Sequence, residues 1–89
     1  MKLSDFPTEK PVFTTEYVIK QNADIVYVSL DQDNDLHMFS EEGAEMDKAM
    51  LVSIQNIIEK DNSLLEIPNL EKEDQFYRNN KKSKWTKLA

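Results

Sequence analysis

The chain has 89 residues, a formal net charge of −6, no cysteine and a single glycine. That length supports one domain with a modest core, burying roughly 60–70% of the surface its unfolded form exposes. The missing cysteines exclude disulfides and thiolate metal sites, and one glycine leaves no glycine-rich phosphate loop. No stretch approaches the ~20 apolar residues that span a bilayer, and Met1 to Pro7 has no apolar leader segment. The expectation is a cytoplasmic protein without membrane association.

Charge is unevenly placed. Residues 1–49 carry eleven acids against four lysines, whereas residues 75–89 carry Arg78, Lys81, Lys82, Lys84 and Lys87 and no acid. Seven acids and no Lys or Arg lie between Asp31 and Asp47. Such asymmetry points to a charged partner, or to the two regions facing each other.

In chain order, residues 1–11 contain Pro7 and Pro11 and little apolar content, so they read as an extended, loosely held N-terminal arm. Val12 to Ile19 suits a strand by its β-branched content. Thr14 or Thr15 could equally cap a helical turn that puts Tyr17, Val18 and Ile19 on the core. Gln21 to Asp24 is a turn. Ile25 to Leu30, the acidic Asp31 to Asp35, and Leu36 to Phe39 then form a β-hairpin pattern.

A two-residue turn at Asp33-Asn34 would set Leu30 opposite His37 and Val28 opposite Phe39. Val26, Val28, Leu30, His37 and Phe39 would then face the core. Ile25, Tyr27, Ser29, Asp31, Leu36, Met38 and Ser40 would share the other face. A longer loop, shifting the pairing by one residue, is the alternative.

Ser40 to Lys48 reads as an acidic loop and Met50 to Ser53 as a short strand. Ser53 is placed to cap a helix whose Ile54, Ile57 and Ile58 form one stripe. Ser63 to Glu66 fits a capping box for a second short turn stopped by Pro68. Phe76 and Tyr77 would plug the core edge, and Lys84 to Leu88 alternates as an edge strand guarded by lysines. The predicted fold is α+β: a small antiparallel sheet built on a central β-hairpin, with one main helix packed on one face. Residues 12–89 form this domain.

The order of these pieces, with "SLDQDNDLHMFSEEG", "LVSIQNIIEKDNSLLEI", "FYRN" and a late Trp, resembles a family of small bacterial domains of uncharacterised activity. Some of its members are grouped with immunity proteins of toxin systems. The resemblance runs over roughly residues 12 to 85 and rests on Asp31, Asp33, Asp35, Phe39, Asp61, Leu64, Phe76 and Arg78. Asn34, Leu36 and Asn62 stand where that family has Gly, an aromatic and Pro. The resemblance implies an α+β fold, no known catalytic residues and a role in binding another protein.

Asp31, Asp33 and Asp35, with Glu42 eleven residues after Asp31, imitate a calcium loop. Leu36 occupies the position where that loop needs Gly, and the flanks are strands rather than helices. A solvated turn is the reading, and no metal or other cofactor is expected. His37 is the only histidine and lacks a second ligand or a cysteine, so a structural role is expected. The adjacent Glu41 and Glu42 read as a solvated pair, and no catalytic residue is assigned. The basic tail with Phe76, Tyr77 and Trp85 suggests single-stranded nucleic acid, but seventeen acids would repel phosphate. The expected function is non-enzymatic binding of another protein, such as a basic toxin. The partner site would comprise Tyr27, Asp31, Asp33, Asp35, Leu36, Met38, Glu41 and Glu42. A ligand- or metal-sensing domain using the Asp-rich turn is the alternative.

Overall fold

The computed structural model describes residues 1–88; Ala89, the end of the predicted domain, lies outside the described residues. Six strands form one sheet: β1 (Pro11–Thr15), β2 (Tyr27–Leu30), β3 (Leu36–Phe39), β4 (Ala49–Ser53), β5 (Gln75–Tyr77) and β6 (Thr86–Leu88). Their order is β4-β1-β3-β2-β5-β6, which places the β2–β3 hairpin in the middle. The sheet is mixed rather than antiparallel throughout, because β1 runs parallel to β3. Two helices accompany it, α1 (Glu16–Ile19) and α2 (Ile54–Lys60). No helix among the described residues is long and apolar enough to cross a membrane.

Val12 to Ile19 divides at Thr15 into a strand and a helical turn, of which Val18 and Ile19 reach the core and Tyr17 does not. The β-branched run forms β1, and α1 begins at the next residue without a side-chain cap from Thr15. At α2 the Ser53 hydroxyl accepts from the Asn56 amide at 3.2 Å, the capping bond that a helix N-terminus requires. Asp61 ends α2 and opens a 3-10 turn at Asn62–Glu66. There its carboxylate, rather than the Ser63 capping box, accepts from the Ser63 amide at 3.0 Å.

The hairpin register differs from the predicted one by a residue. Tyr27 pairs with Phe39, Val28 with Met38, Ser29 with His37 and Leu30 with Leu36. A two-residue I′ turn needs positive φ at both central residues, and of Asp33 and Asn34 only Asn34 adopts it, at 68°. The chain instead makes a three-residue loop. The Asn34 amide donates to the Asp31 carbonyl, and the Asp31 amide to the Asp35 carbonyl. The Asp31 carboxylate accepts from the Asp33 and Asp35 amides, both at 2.9 Å. Because strand side chains alternate, the one-residue shift exchanges faces. Leu36 and Met38, expected in the partner site, are fully buried, while His37 and Phe39, expected in the core, face outward. Ile25 and Ser40, expected on the outer face, are buried as well.

The core lies on one side of the sheet. Val12, Val28, Leu30, Leu36, Met38 and Phe76 meet Ile54 and Ile57 of α2 together with Leu64, Ile67 and Leu70. The N-terminal arm is not loose: Leu3 and Phe6 join this cluster, since a sheet this short needs added apolar cover. Phe76 is buried but Tyr77 is not, as alternation along β5 requires.

Arg78, counted above with the basic tail, is also buried. Its Nη2 donates to Asp61 at 2.7 Å, its Nη1 to Ser63 Oγ at 2.7 Å and to the Lys81 carbonyl at 3.3 Å, and its Nε to the Ile25 carbonyl at 2.9 Å. The guanidinium stacks on Trp85 at 4.1 Å.

Two substitutions test this arrangement by urea denaturation. Asp61→Ala leaves a buried guanidinium without its counter-charge and is expected to cost roughly 3–5 kcal/mol. Leu36→Ala is expected to cost about 2–5 kcal/mol as a core deletion. A cost below about 1 kcal/mol for Leu36→Ala would restore the two-residue-turn register.

Candidate functional site

The face of the sheet opposite the helices is open. Alternation directs Phe13, His37, Phe39, Tyr27, Tyr77 and Leu51 onto it, one or two from each of β1 to β5. Cross-strand pairing sets them in two rows. One runs Leu51, Phe13, His37, Ser29, Gln75, Leu88, and the other runs Phe39, Tyr27, Tyr77, Thr86. The rings touch in sequence. Phe13 stacks on His37 at 5.2 Å, His37 tilts against Phe39 at 6.1 Å, and Phe39 stacks on Tyr27 at 6.3 Å. Phe13 is 40% exposed, Leu51 58% and Tyr77 38%. These residues make a contiguous, partly exposed aromatic surface, the type of patch in which interface residues are concentrated in proteins generally.

Of the predicted partner residues, Tyr27 lies on this face, half-buried between Phe39 and Tyr77. The acids do not form one rim. Asp31, Asp33 and Asp35 stand at the turn, whereas Glu41 and Glu42 follow the far end of β3. Four strand residues, roughly 13 Å, separate the two groups. The apolar centre between them is Phe13, His37, Phe39 and Tyr27 in place of Leu36 and Met38. The alternating pattern held this signal; reading it required the register.

His37 Nε2 lies 2.9 Å from Asp31 Oδ2. This contact, and then the Asp35 and Asp33 amides, hold the Asp31 carboxyl below its ordinary range. Ser29 stands opposite His37 across the strands, but no hydrogen bond joins them among the described residues, so the three make no proton relay. The carboxylates of Asp31, Asp33 and Asp35 lie within 4.8 Å of one another. Both Asp31 oxygens are already engaged, by amides and by His37. Glu42 accepts from Ser40 Oγ at 2.6 Å, which lowers its pKa, and it stands at the other end of the strand from the turn.

The loop between β3 and β4, with a 3-10 turn at Met46–Lys48, overhangs one side of the open face. The Tyr17 hydroxyl donates to the Glu45 carboxylate and ties the loop to α1. That bond, with local desolvation and the negative charges of Glu45, Asp47 and Glu42, pushes the Tyr17 phenol up to about 12. Among the tail lysines, Lys87 pairs with Asp74 at 3.3 Å.

Comparison with family models, with curated proteins and with solved structures gives no match to this chain.

The titrations have signs that can be checked. Asp31 and Glu42 have folded pKa values below their ordinary 3.8 and 4.5, so their stabilisation is complete above those values and is lost as pH falls through the lower, folded ones. The urea midpoint is expected to fall on acidification below about pH 4, and less steeply in Asp31→Asn. Tyr17 has the opposite sense. Its neutral form stabilises the fold below pH 10.0, and that contribution disappears as pH rises toward about 12. Glu45→Gln is expected to bring the Tyr17 ionisation, followed by tyrosinate absorbance, back toward 10.0.

Proposed function

We propose that this chain is a non-enzymatic protein-binding domain that docks a basic partner on its open sheet face. An immunity-type protein that neutralises a basic toxin in the cytoplasm by covering it is the role that fits this chemistry. The observation that carries the reading is the partly exposed run Phe13, His37, Phe39, Tyr27 on the helix-free side. An aromatic centre flanked by charge is the usual anatomy of an interface. The acids at both ends of the hairpin, in a chain of net charge −6, would steer a basic surface toward that centre. The nucleic-acid reading has lost support, because Phe76 and Arg78 are buried and Trp85 stacks on Arg78.

Affinity capture from the native cell, followed by surface kinetics on the captured protein, tests the proposal. Asp33→Lys with Glu41→Lys and Glu42→Lys is expected to slow association at low salt. Phe13→Ala is expected to speed dissociation by an amount equivalent to about 2 kcal/mol. Capture that neither change alters would refute the site.

The second reading is cation sensing at the turn, favoured by the 4.8 Å grouping of the three Asp carboxylates. Calorimetric titration with Ca²⁺, Mn²⁺ and Zn²⁺ decides it. The expected result is no saturable heat and no gain in thermal stability at submillimolar metal, since binding would have to displace the His37 and amide contacts of Asp31.

A further inference from the structure

β4 is an outer strand of the sheet, with β1 on one side and no strand on the other among the described residues. Edge strands usually carry a charge, a proline or a bulge that discourages pairing with another chain. The opposite edge, β6, has Lys87 at its centre. β4 reads Ala-Met-Leu-Val-Ser, pairs with β1 residue for residue, and has none of these devices. Leu51 at its centre is 58% exposed.

The ladder determines which main-chain groups this edge presents. The Ile54 amide donates to the Lys10 carbonyl at 2.8 Å, in register with the β1–β4 pairs. Bonded and non-bonded pairs alternate along an antiparallel ladder, so Val52 and Met50 also bond to β1. Ala49, Leu51 and Ser53 then point their main-chain groups outward. The Ala49 amide is taken by the Met46 carbonyl, and the Ser53 carbonyl, at the helix cap, accepts the first bond of α2. The Ala49 carbonyl, both groups of Leu51 and the Ser53 amide have no partner among the described residues.

That set is its own complement. Antiparallel pairing about a two-fold axis at Leu51 sets Leu51 against Leu51 of a second copy, and Ala49 against its Ser53. The leucines exchange both bonds, and each Ser53 amide donates to the Ala49 carbonyl across from it. Every free group on both strands is met, and none is left over. The side chains agree, because Met50 falls beside Val52, the exposed leucines cover each other and no charge stands on either strand. Another protein's strand would match the same main chain, but the basic partner proposed above finds no carboxylate on β4.

We propose that this edge joins two copies of the chain, β4 to β4, into one continuous sheet. The axis stands normal to the sheet, so both helical layers lie on one side and both aromatic faces on the other. The open faces meet at the paired leucines, beside Phe13 of each copy. One short strand per copy makes a reversible contact, smaller than the roughly 1,200 Å² at which stable interfaces begin. Each copy carries a net charge of −6, so salt favours the union by screening their repulsion. Docking of a basic partner has the opposite salt dependence, and the dimer does not rest on it.

Sedimentation of the full chain over a wide concentration range, at low and high salt, tests the proposal. Amide NMR shifts and hydrogen exchange locate the contact. The expected result is a monomer–dimer equilibrium strengthened by salt, with dilution shifts centred on Ala49–Ser53 and slower exchange of the Leu51 and Ser53 amides at high concentration. Leu51→Pro removes an amide that bonds the second copy and none that bonds β1, and an edge strand tolerates proline where the amide faces out. It is expected to keep the monomer fold and weaken the dimer roughly tenfold or more, through loss of half its main-chain bonds. Should Leu51→Pro not fold, Leu51→Lys, which sets like charges directly opposite, is expected to abolish the dimer.

Sedimentation as a monomer at every concentration and salt overturns the proposal and leaves basic-partner docking standing. A dimer that Leu51→Lys leaves intact, with dilution shifts on Tyr27 and Tyr77, would be a face-to-face contact and overturns it. Growth beyond the dimer also overturns it, since a two-fold contact closes whereas β4 joined to β6 of the next copy does not.

Discussion

A guanidinium taken out of water must have its donors met, and Arg78 meets them with groups from three separate parts of the chain. Asp61 and Ser63 come from the junction after α2, Ile25 from the approach to β2, and Lys81 from the segment before β6, while Trp85 covers the plane. Trp85 is itself held by its indole N–H donating to the Ser63 carbonyl at 3.3 Å. The Ser63 hydroxyl in turn donates to Asp61 at 2.5 Å, so the acid, the hydroxyl and the cation close a ring of contacts. Such a pair adds little net stability, because desolvation offsets its attraction. Its effect is discrimination: any arrangement that separates the helical layer from β5 strands a charge in an apolar interior.

The division of labour between the two sides of the sheet depends on that fixture. With α2, the 3-10 turn after it and the N-terminal segment committed to one side, the apolar core is complete there. The other side needs no helix, and its rings stack on or tilt against one another. Stacking limits how much apolar surface each ring shows to water, and the net negative charge opposes self-association. A chain of 89 residues can thus hold an aromatic surface in readiness without building a second layer over it.

What the sequence revealed depended on how local each cause is. Ser53 as a cap, α2 as an amphipathic helix and an edge strand expected over Lys84 to Leu88 follow from neighbouring residues, and each is present, the strand over Thr86–Leu88. The role of Asn34 as a left-handed residue was also readable, because Asn tolerates positive φ. The register was not, because it turns on whether Asp33 joins Asn34 at positive φ, and a single dihedral moved every β3 side chain to the opposite face. Leu3 and Phe6 looked incidental because nothing near them in the chain reports the sheet they cover. Arg78 looked like tail charge because composition does not register depth. The candidate site suffered most from these gaps. Its acids and Tyr27 had been named, but His37 and Phe39 had been assigned to the interior.

The three-residue loop from Gln32 to Asn34 has an evolutionary corollary. Along β2 and β3 the inward residues Val28, Leu30, Leu36 and Met38 and the outward residues Tyr27, Ser29, His37 and Phe39 form interleaved, separately editable alphabets. Point substitutions in the outward set can change the chemistry of the open face while the inward set keeps the molecule folded. A single-residue insertion or deletion in the loop respects no such boundary, since it exchanges the inward and outward sets of one strand relative to the other. Diversification of this surface is therefore open to substitution and closed to changes in loop length.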